Sequence, residues 1–116
     1  MIRGLGIDLT ELSRIKAAQE RNSHFAEKVL TSKELAAYSA LEGQRALEYL
    51  AGRFSVKEAY AKAYGTGLGK VALQDVETLT GNNGQPVITK HPATALVHVS
   101  ISHTAELVMT EVVLED

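Results

Sequence analysis

The order of elements in this chain predicts an α+β fold, an antiparallel sheet packed with a long central helix and shorter helices. Three observations carry that expectation. Apolar and polar residues alternate near both ends of the chain, at Leu5, Ile7 and Leu9 and again at Val97, Val99 and Ile101, which marks strands. Helical periodicity runs from about Arg45 to Tyr64, far too long for a strand. Asn83-Gly84 stands between two β-rich runs and carries the signal of a type I′ hairpin. Helices grouped between terminal strands, without strict strand–helix alternation, point to α+β with antiparallel pairing.

The elements follow in order. Met1 to Leu9 is expected to be a strand, with Gly6 and Asp8 on the face opposite Leu5, Ile7 and Leu9. Thr10 is placed to cap a first helix holding Leu12 and Ile15. Arg14 and Arg21, two turns apart, share a face of that helix. Thr31-Ser32-Lys33-Glu34 has capping-box spacing and opens a second helix with Leu35, Tyr38 and Leu41, which Gly43 interrupts. The long helix ends at Gly65-Thr66-Gly67-Leu68-Gly69. A strand from Leu73 to Thr80, the turn Gly81–Gly84, a strand from Pro86 to Thr89, a strand through Val97–Ile101 and a last strand from Leu107 to Leu114 complete the chain. No repeat or linker divides it, so residues 1–116 are expected to form one domain.

Composition excludes several classes. A net charge of −2 gives no field to draw nucleic acid, and no stretch approaches the roughly 20 apolar residues of a membrane span. Cysteine is absent, which excludes disulfides and thiolate metal sites and fits a cytoplasmic protein. The first residues include Arg3 and Asp8, not a basic region followed by an apolar one, so no signal peptide is expected. Tryptophan is absent and phenylalanine scarce, so the core must be built from Leu, Ile, Val and Ala, leaving a role for a subunit interface.

The chemistry-bearing residues concentrate in Arg53-Phe54-Ser55-Val56-Lys57-Glu58-Ala59-Tyr60-Ala61-Lys62. Leu47, Leu50, Ala51 and Phe54 form an apolar helical stripe, and its continuation reaches Glu58 and then Lys62. Turned toward a core, that face buries a carboxylate and an ammonium, which costs several kcal/mol per ion unless each is paired or bound. The alternative is a surface (i, i+4) pair worth about 0.2–0.5 kcal/mol. Asp8 is either a solvated acid or, with Glu58, half of a hard-oxygen site of the kind Mg²⁺ takes, with one or two carboxylates and substrate phosphate oxygens. Lys62, one turn beyond Glu58, is placed to neutralise the same phosphates. The glycines from Gly65 follow a helix rather than open one and lack the Gly-Lys-Ser/Thr signature, so they read as a C-cap and turn; any ligand role there comes from close backbone approach. His103 stands at a strand end, an ordinary turn histidine or a ligand contact. His24, His91 and His98 have no zinc spacing, and no Gly-x-Ser-x-Gly elbow accompanies Ser100 and Ser102.

Four segments in order carry a family resemblance: Gly6-Ile7-Asp8-Leu9-Thr10-Glu11-Leu12, Leu50-Ala51-Gly52-Arg53-Phe54-Ser55-Val56-Lys57-Glu58-Ala59, Lys62-Ala63-Tyr64-Gly65-Thr66-Gly67, and Val99-Ser100-Ile101-Ser102-His103-Thr104. Together they resemble the bacterial holo-acyl-carrier-protein synthases, the small trimeric class of 4′-phosphopantetheinyl transferases. The resemblance implies transfer of 4′-phosphopantetheine from coenzyme A to a serine of apo acyl carrier protein, Mg²⁺-dependent, releasing 3′,5′-ADP, in fatty acid biosynthesis. It implies Asp8 and Glu58 as Mg²⁺ ligands and catalytic residues, Lys62 as the contact to the coenzyme A diphosphate, and Arg53 and His103, with Gly65, around the nucleotide. It places Arg14 and Arg21 on the face that docks the acidic helix of the carrier, where Ala18 and His24 depart from forms with a bulky apolar anchor and an arginine. It also implies a homotrimer with active sites at subunit interfaces. The proton acceptor is left open among a metal-bound water, Glu58 and His103. Two rivals stand beside this reading: a non-catalytic nucleotide- or carrier-binding module, and a transferase serving peptide- or polyketide-synthase carriers. The complete Asp8, Glu58 and Lys62 set argues against the first, and the short, undoubled chain against the second.

Overall fold

The computed structural model describes residues 1–116. Strand β1 (Ile2–Glu11) leads into helix α1 (Leu12–Arg21), a short α2 (Phe25–Val29), α3 (Ser32–Ser39) and the 22-residue α4 (Gly43–Tyr64). A 3-10 turn at Leu73–Asp75 precedes β2 (Glu77–Thr80), β3 (Pro86–Lys90), β4 (Leu96–His103) and β5 (Leu107–Glu115). All pairing is antiparallel, as expected, but the strands divide into two sheets: β1-β5-β4, and the hairpin β2-β3. Helix α4 packs across β1 and β5 and forms the centre of the molecule. Its C-terminal half builds one apolar cluster with Val71, Val76, Val112 and Leu114 around the fully buried Tyr60. Its N-terminal half joins α1 and α2 in a second, through Leu12, Ile15, Val29, Leu30 and Leu50.

Several local expectations need correction. Thr10 does not cap α1: it belongs to β1, the residue before the helix is Glu11, and the Thr10 hydroxyl is spent on Asp8. The stretch from Leu73 is not one strand, because the Asp75 carboxylate accepts from the Ala72 N–H (2.9 Å) and closes a 3-10 turn ahead of β2. The β2–β3 turn is not type I′, since no residue other than glycine has positive φ. Instead Gly84 N donates to Gly81 O (3.0 Å), Gly84 takes the left-handed conformation (φ 80°), and the Gln85 side chain accepts from Asn83 N. That is a three-residue loop closing on a glycine bulge.

The ionic residues that α4 buries are Lys57 and Arg53, not Lys62. Past Leu50 the helix is covered on several sides, so its apolar stripe widens until only Phe54, Glu58, Lys62 and Tyr64 reach a rim. Lys57 Nζ lies 2.8 Å from Glu34 Oε1, both side chains essentially inaccessible, and also donates to Val76 O. Burial pushes the Lys57 ammonium below the ordinary lysine range, and Glu34 opposes that shift. Glu34 also completes the capping box with Thr31, as the sequence indicated, and accepts from Thr78 N at 2.8 Å. One turn before Lys57, Arg53 Nε donates to Thr78 O (3.1 Å). The outer edge of β2 is therefore satisfied by side chains where another strand would lie. The (i, i+4) step of a helix, about 6 Å, matches the two-residue step between Val76 and Thr78 along a strand edge.

Candidate active site

Alternation along β1 turns Gly4, Gly6, Asp8 and Thr10 toward α4. A Cβ on Gly4 or Gly6 would overlap the carbonyl oxygen of Ala63 or Ala59, so only glycine lets the strand lie this close to the helix backbone. Asp8, next on the same face, thereby reaches Ser55. Gly6→Ala is expected to cost about 1–3 kcal/mol in urea unfolding, because the clash is with backbone that cannot turn aside. Gly52→Ala, whose Cβ would meet only an Ile101 methyl at 3.9 Å, should unfold at or above the wild-type midpoint.

Around Asp8 the structure assembles three of the residues selected from the sequence. Lys62 Nζ lies 3.6 Å from Asp8 Oδ1 and donates to Ile7 O at 2.9 Å. Glu58, one helical turn before Lys62, shares its face. No hydrogen bond or ion pair holds the Glu58 carboxylate, and in place of the alternative Glu58–Lys62 pair Lys62 contacts Asp8. Burial raises the Glu58 pKa first, the negative charge of Asp8 raises it further, and Lys62 and Arg14 oppose the rise. Two carboxylates thus confront each other in partial shelter with cations at the edge. No third His, Asp, Glu or Cys joins them, and that donor set suits a hard divalent ion completed by phosphate oxygens rather than zinc.

Arg53 and His103 lie elsewhere, with Arg45, Glu48, Tyr49 and Gly52 around a cavity of about 370 Å³. Arg53 is 8% exposed; besides Thr78 O it reaches Thr80 Oγ1 (3.3 Å), and its guanidinium stands 4.3 Å above the Tyr49 ring. His103 Nδ1 is 3.5 Å from Glu48 Oε2. Gly65 caps α4 in the left-handed conformation (φ 99°), its N–H committed to Ala61 O and Lys62 O, with open space where a Cβ would stand. Arg14 and Arg21 are exposed on α1; Arg14 lines a groove of about 430 Å³ with Leu9, Leu12, Lys16 and Leu47. Sequence reasoning passes over Arg45, although it stands eight residues, about two turns, before Arg53. It also passes over the hydroxyls around Asp8, of which Thr10 shows itself only by its two-residue spacing.

Comparison with known proteins identifies the family and the fold. Residues 4–114 match the model of the 4′-phosphopantetheinyl transferase superfamily. The chain is 63% identical to a holo-[acyl-carrier-protein] synthase of Lacticaseibacillus casei, covering 99% of this chain and 93% of that one. A crystal structure of a holo-(acyl-carrier-protein) synthase from Bacillus anthracis in complex with CoA (3′,5′-ADP) superposes with a TM-score of 0.93 at 43% identity, covering 99% and 97% of the two chains. The synthase from Neisseria meningitidis gives 0.91 at 32% identity over the full length of both. A family model spanning residues 4–114 and 63% identity over nearly the whole chain make the chain a member of the holo-[acyl-carrier-protein] synthase family of 4′-phosphopantetheinyl transferases.

Proposed function

We infer that this chain transfers the 4′-phosphopantetheine group of coenzyme A to a serine of an apo acyl carrier protein and releases 3′,5′-ADP. The observation that carries the reading is the meeting of Asp8, Glu58 and Lys62 at the rim of α4 in a member of this family. Asp8 and Glu58 fit a magnesium ion: they are two hard oxygen donors, and burial first and the charge of Asp8 second disfavour a bare Glu58 carboxylate, which a dication relieves. Bound there, the ion supplies Lewis-acid polarisation of the diphosphate oxygens. Lys62 offsets negative charge that builds on the same oxygens as the serine oxygen, its proton passing to solvent, bonds to the phosphorus bearing pantetheine and the bond to 3′,5′-ADP breaks. Arg45, Arg53 and His103 give the second cavity a basic wall that suits the nucleotide end of coenzyme A.

The two halves project from different faces of α4: residues 45, 49, 52 and 53 on one side, 55, 58 and 62 on another. One coenzyme A therefore engages both most simply across two copies of the chain. Leu5, Leu9 and Met109, exposed at 57%, 61% and 47%, form an apolar outer face on the β1-β5-β4 sheet and support a homotrimer closed through it, with active sites at the boundaries. We place the enzyme in the cytoplasm, as the resemblance to bacterial synthases implies; no helix is long and apolar enough to cross a membrane.

The transfer is tested by mixing the protein with coenzyme A, Mg²⁺ and an apo acyl carrier protein and weighing the carrier. A gain of one phosphopantetheine, lost on adding EDTA, is expected; an unchanged carrier with coenzyme A bound would favour a binding module. For carrier docking, Arg21 gives a cleaner test than Arg14, whose charge reaches Glu58. Arg21→Glu is expected to raise the KM for the carrier about tenfold and leave that for coenzyme A unchanged, as reversal of a rim charge facing an acidic helix should. An equal rise in both would count against α1 as the docking face.

A further inference from the structure

We propose that Ser55 and Thr10, backed by Thr110, are positioning residues: a buried hydroxyl clamp that fixes the Asp8 carboxylate with Oδ1 left free for the divalent ion. The inference rests on the reading of Asp8 and Glu58 as the ligands of that ion.

Two elements converge on one oxygen, and a third stands behind them. Thr10 Oγ1, two residues along β1, donates to Asp8 Oδ2 at 2.6 Å. Ser55 Oγ, from α4, donates to the same Oδ2 at 2.7 Å. Thr110 stands opposite Asp8 in the β1–β5 register, and its Oγ1 lies 2.8 Å from Ser55 Oγ. A serine hydroxyl has a single proton. With that proton given to Asp8, Thr110 must be the donor to Ser55, so the relay runs Thr110 to Ser55 to Asp8. Each hydroxyl residue is at most 2% exposed, so water does not compete for these bonds.

The arrangement is one-sided. Oδ2 receives two short, charge-assisted bonds, while Oδ1 has only Lys62 Nζ at 3.6 Å. A carboxylate on a strand otherwise turns about its last side-chain torsion, a broad and soft one. Held by donors from both the strand and the helix, it presents one oxygen in one direction. Such supporting hydrogen bonds typically carry about 10–100-fold in metal affinity.

Thr10→Val exchanges the nearest hydroxyl for a methyl of similar size, and Ser55→Ala removes the other donor. Mn²⁺ serves as the probe: the free-ion spin-resonance signal gives its affinity for the protein in the presence of coenzyme A, and calorimetry in EDTA gives coenzyme A affinity without metal. Both variants are expected to bind Mn²⁺ about 10–100-fold more weakly with coenzyme A affinity unchanged, and the transfer rate at saturating metal to return to within about threefold of wild type. A folded variant with the wild-type Mn²⁺ isotherm would overturn the clamp and leave the ligand assignment standing. If the wild type itself binds no Mn²⁺, the ligand assignment falls and the clamp with it. Should Ser55→Ala fail to fold, the near-isosteric Thr10→Val decides.

Discussion

Replacing Glu58 by alanine is expected to lower transfer by at least about 10²-fold while leaving the protein folded. The activity loss follows from removing one of the two carboxylates proposed to hold the ion: Lewis-acid stabilisation of a phosphoryl group is worth several kcal/mol, and each 1.36 kcal/mol is a factor of ten. The fold should survive because nothing in the structure depends on that side chain. Its carboxylate has no hydrogen bond, and both burial and the charge of Asp8 disfavour its ionised form. The melting temperature of the metal-free variant should therefore equal or exceed that of the wild type. Weighing the carrier after timed incubation measures the first effect and a thermal melt the second. Near-normal transfer by this variant would remove Glu58 from the metal site.

The second large effect concerns stability. Lys57→Met is expected to cost about 3–5 kcal/mol in urea unfolding, since it leaves Glu34 as an unpaired buried charge and Val76 O without its donor. That is a large share of the roughly 5–15 kcal/mol by which domains are stable. Adding Glu34→Met removes the stranded charge and should recover part of the loss, though Val76 O stays without its donor and Thr31 N and Thr78 N lose their acceptor. A double-mutant cycle separates the pair from its backbone contacts. A single-variant cost below about 1 kcal/mol would mean that water or relaxation satisfies the site.

The contrast between these two residues shows what was legible in the sequence. Glu58 and Lys62 stood out as ionic residues extending an apolar helical stripe, and four ordered segments resembled a family, so the candidate face was legible in the sequence. The same stripe argument missed Lys57. Periodicity locates a buried face only when a helix has one, and α4 beyond Leu50 is walled on several sides, with Val56, Ala59, Tyr60, Ala61 and Ala63 all buried. The partner of Lys57 is 23 residues away, out of reach of any spacing rule. Glu34 shows both sides of the matter. Its capping box with Thr31 is local and was readable; its second role, holding Lys57 and the Thr78 N–H, exists only once β2 arrives. Thr10 failed in the opposite way. As a threonine before an apolar helix it is a good N-cap by type, but the strand runs on through it, and Asp8, two residues earlier, takes its proton. Asn83-Gly84 likewise marked the hairpin but not its turn type, because the Gln85 side chain accepts from the Asn83 N–H and the loop keeps three residues.

The most direct test of the account is Mn²⁺ binding in the presence of coenzyme A, measured by spin resonance for the wild type and for Asp8→Asn. The wild type should bind one ion per chain and the variant should lose it, with coenzyme A affinity in EDTA unchanged. Equal Mn²⁺ binding by both proteins would contradict the claim that Asp8 and Glu58 form the ion site around which the transfer is built.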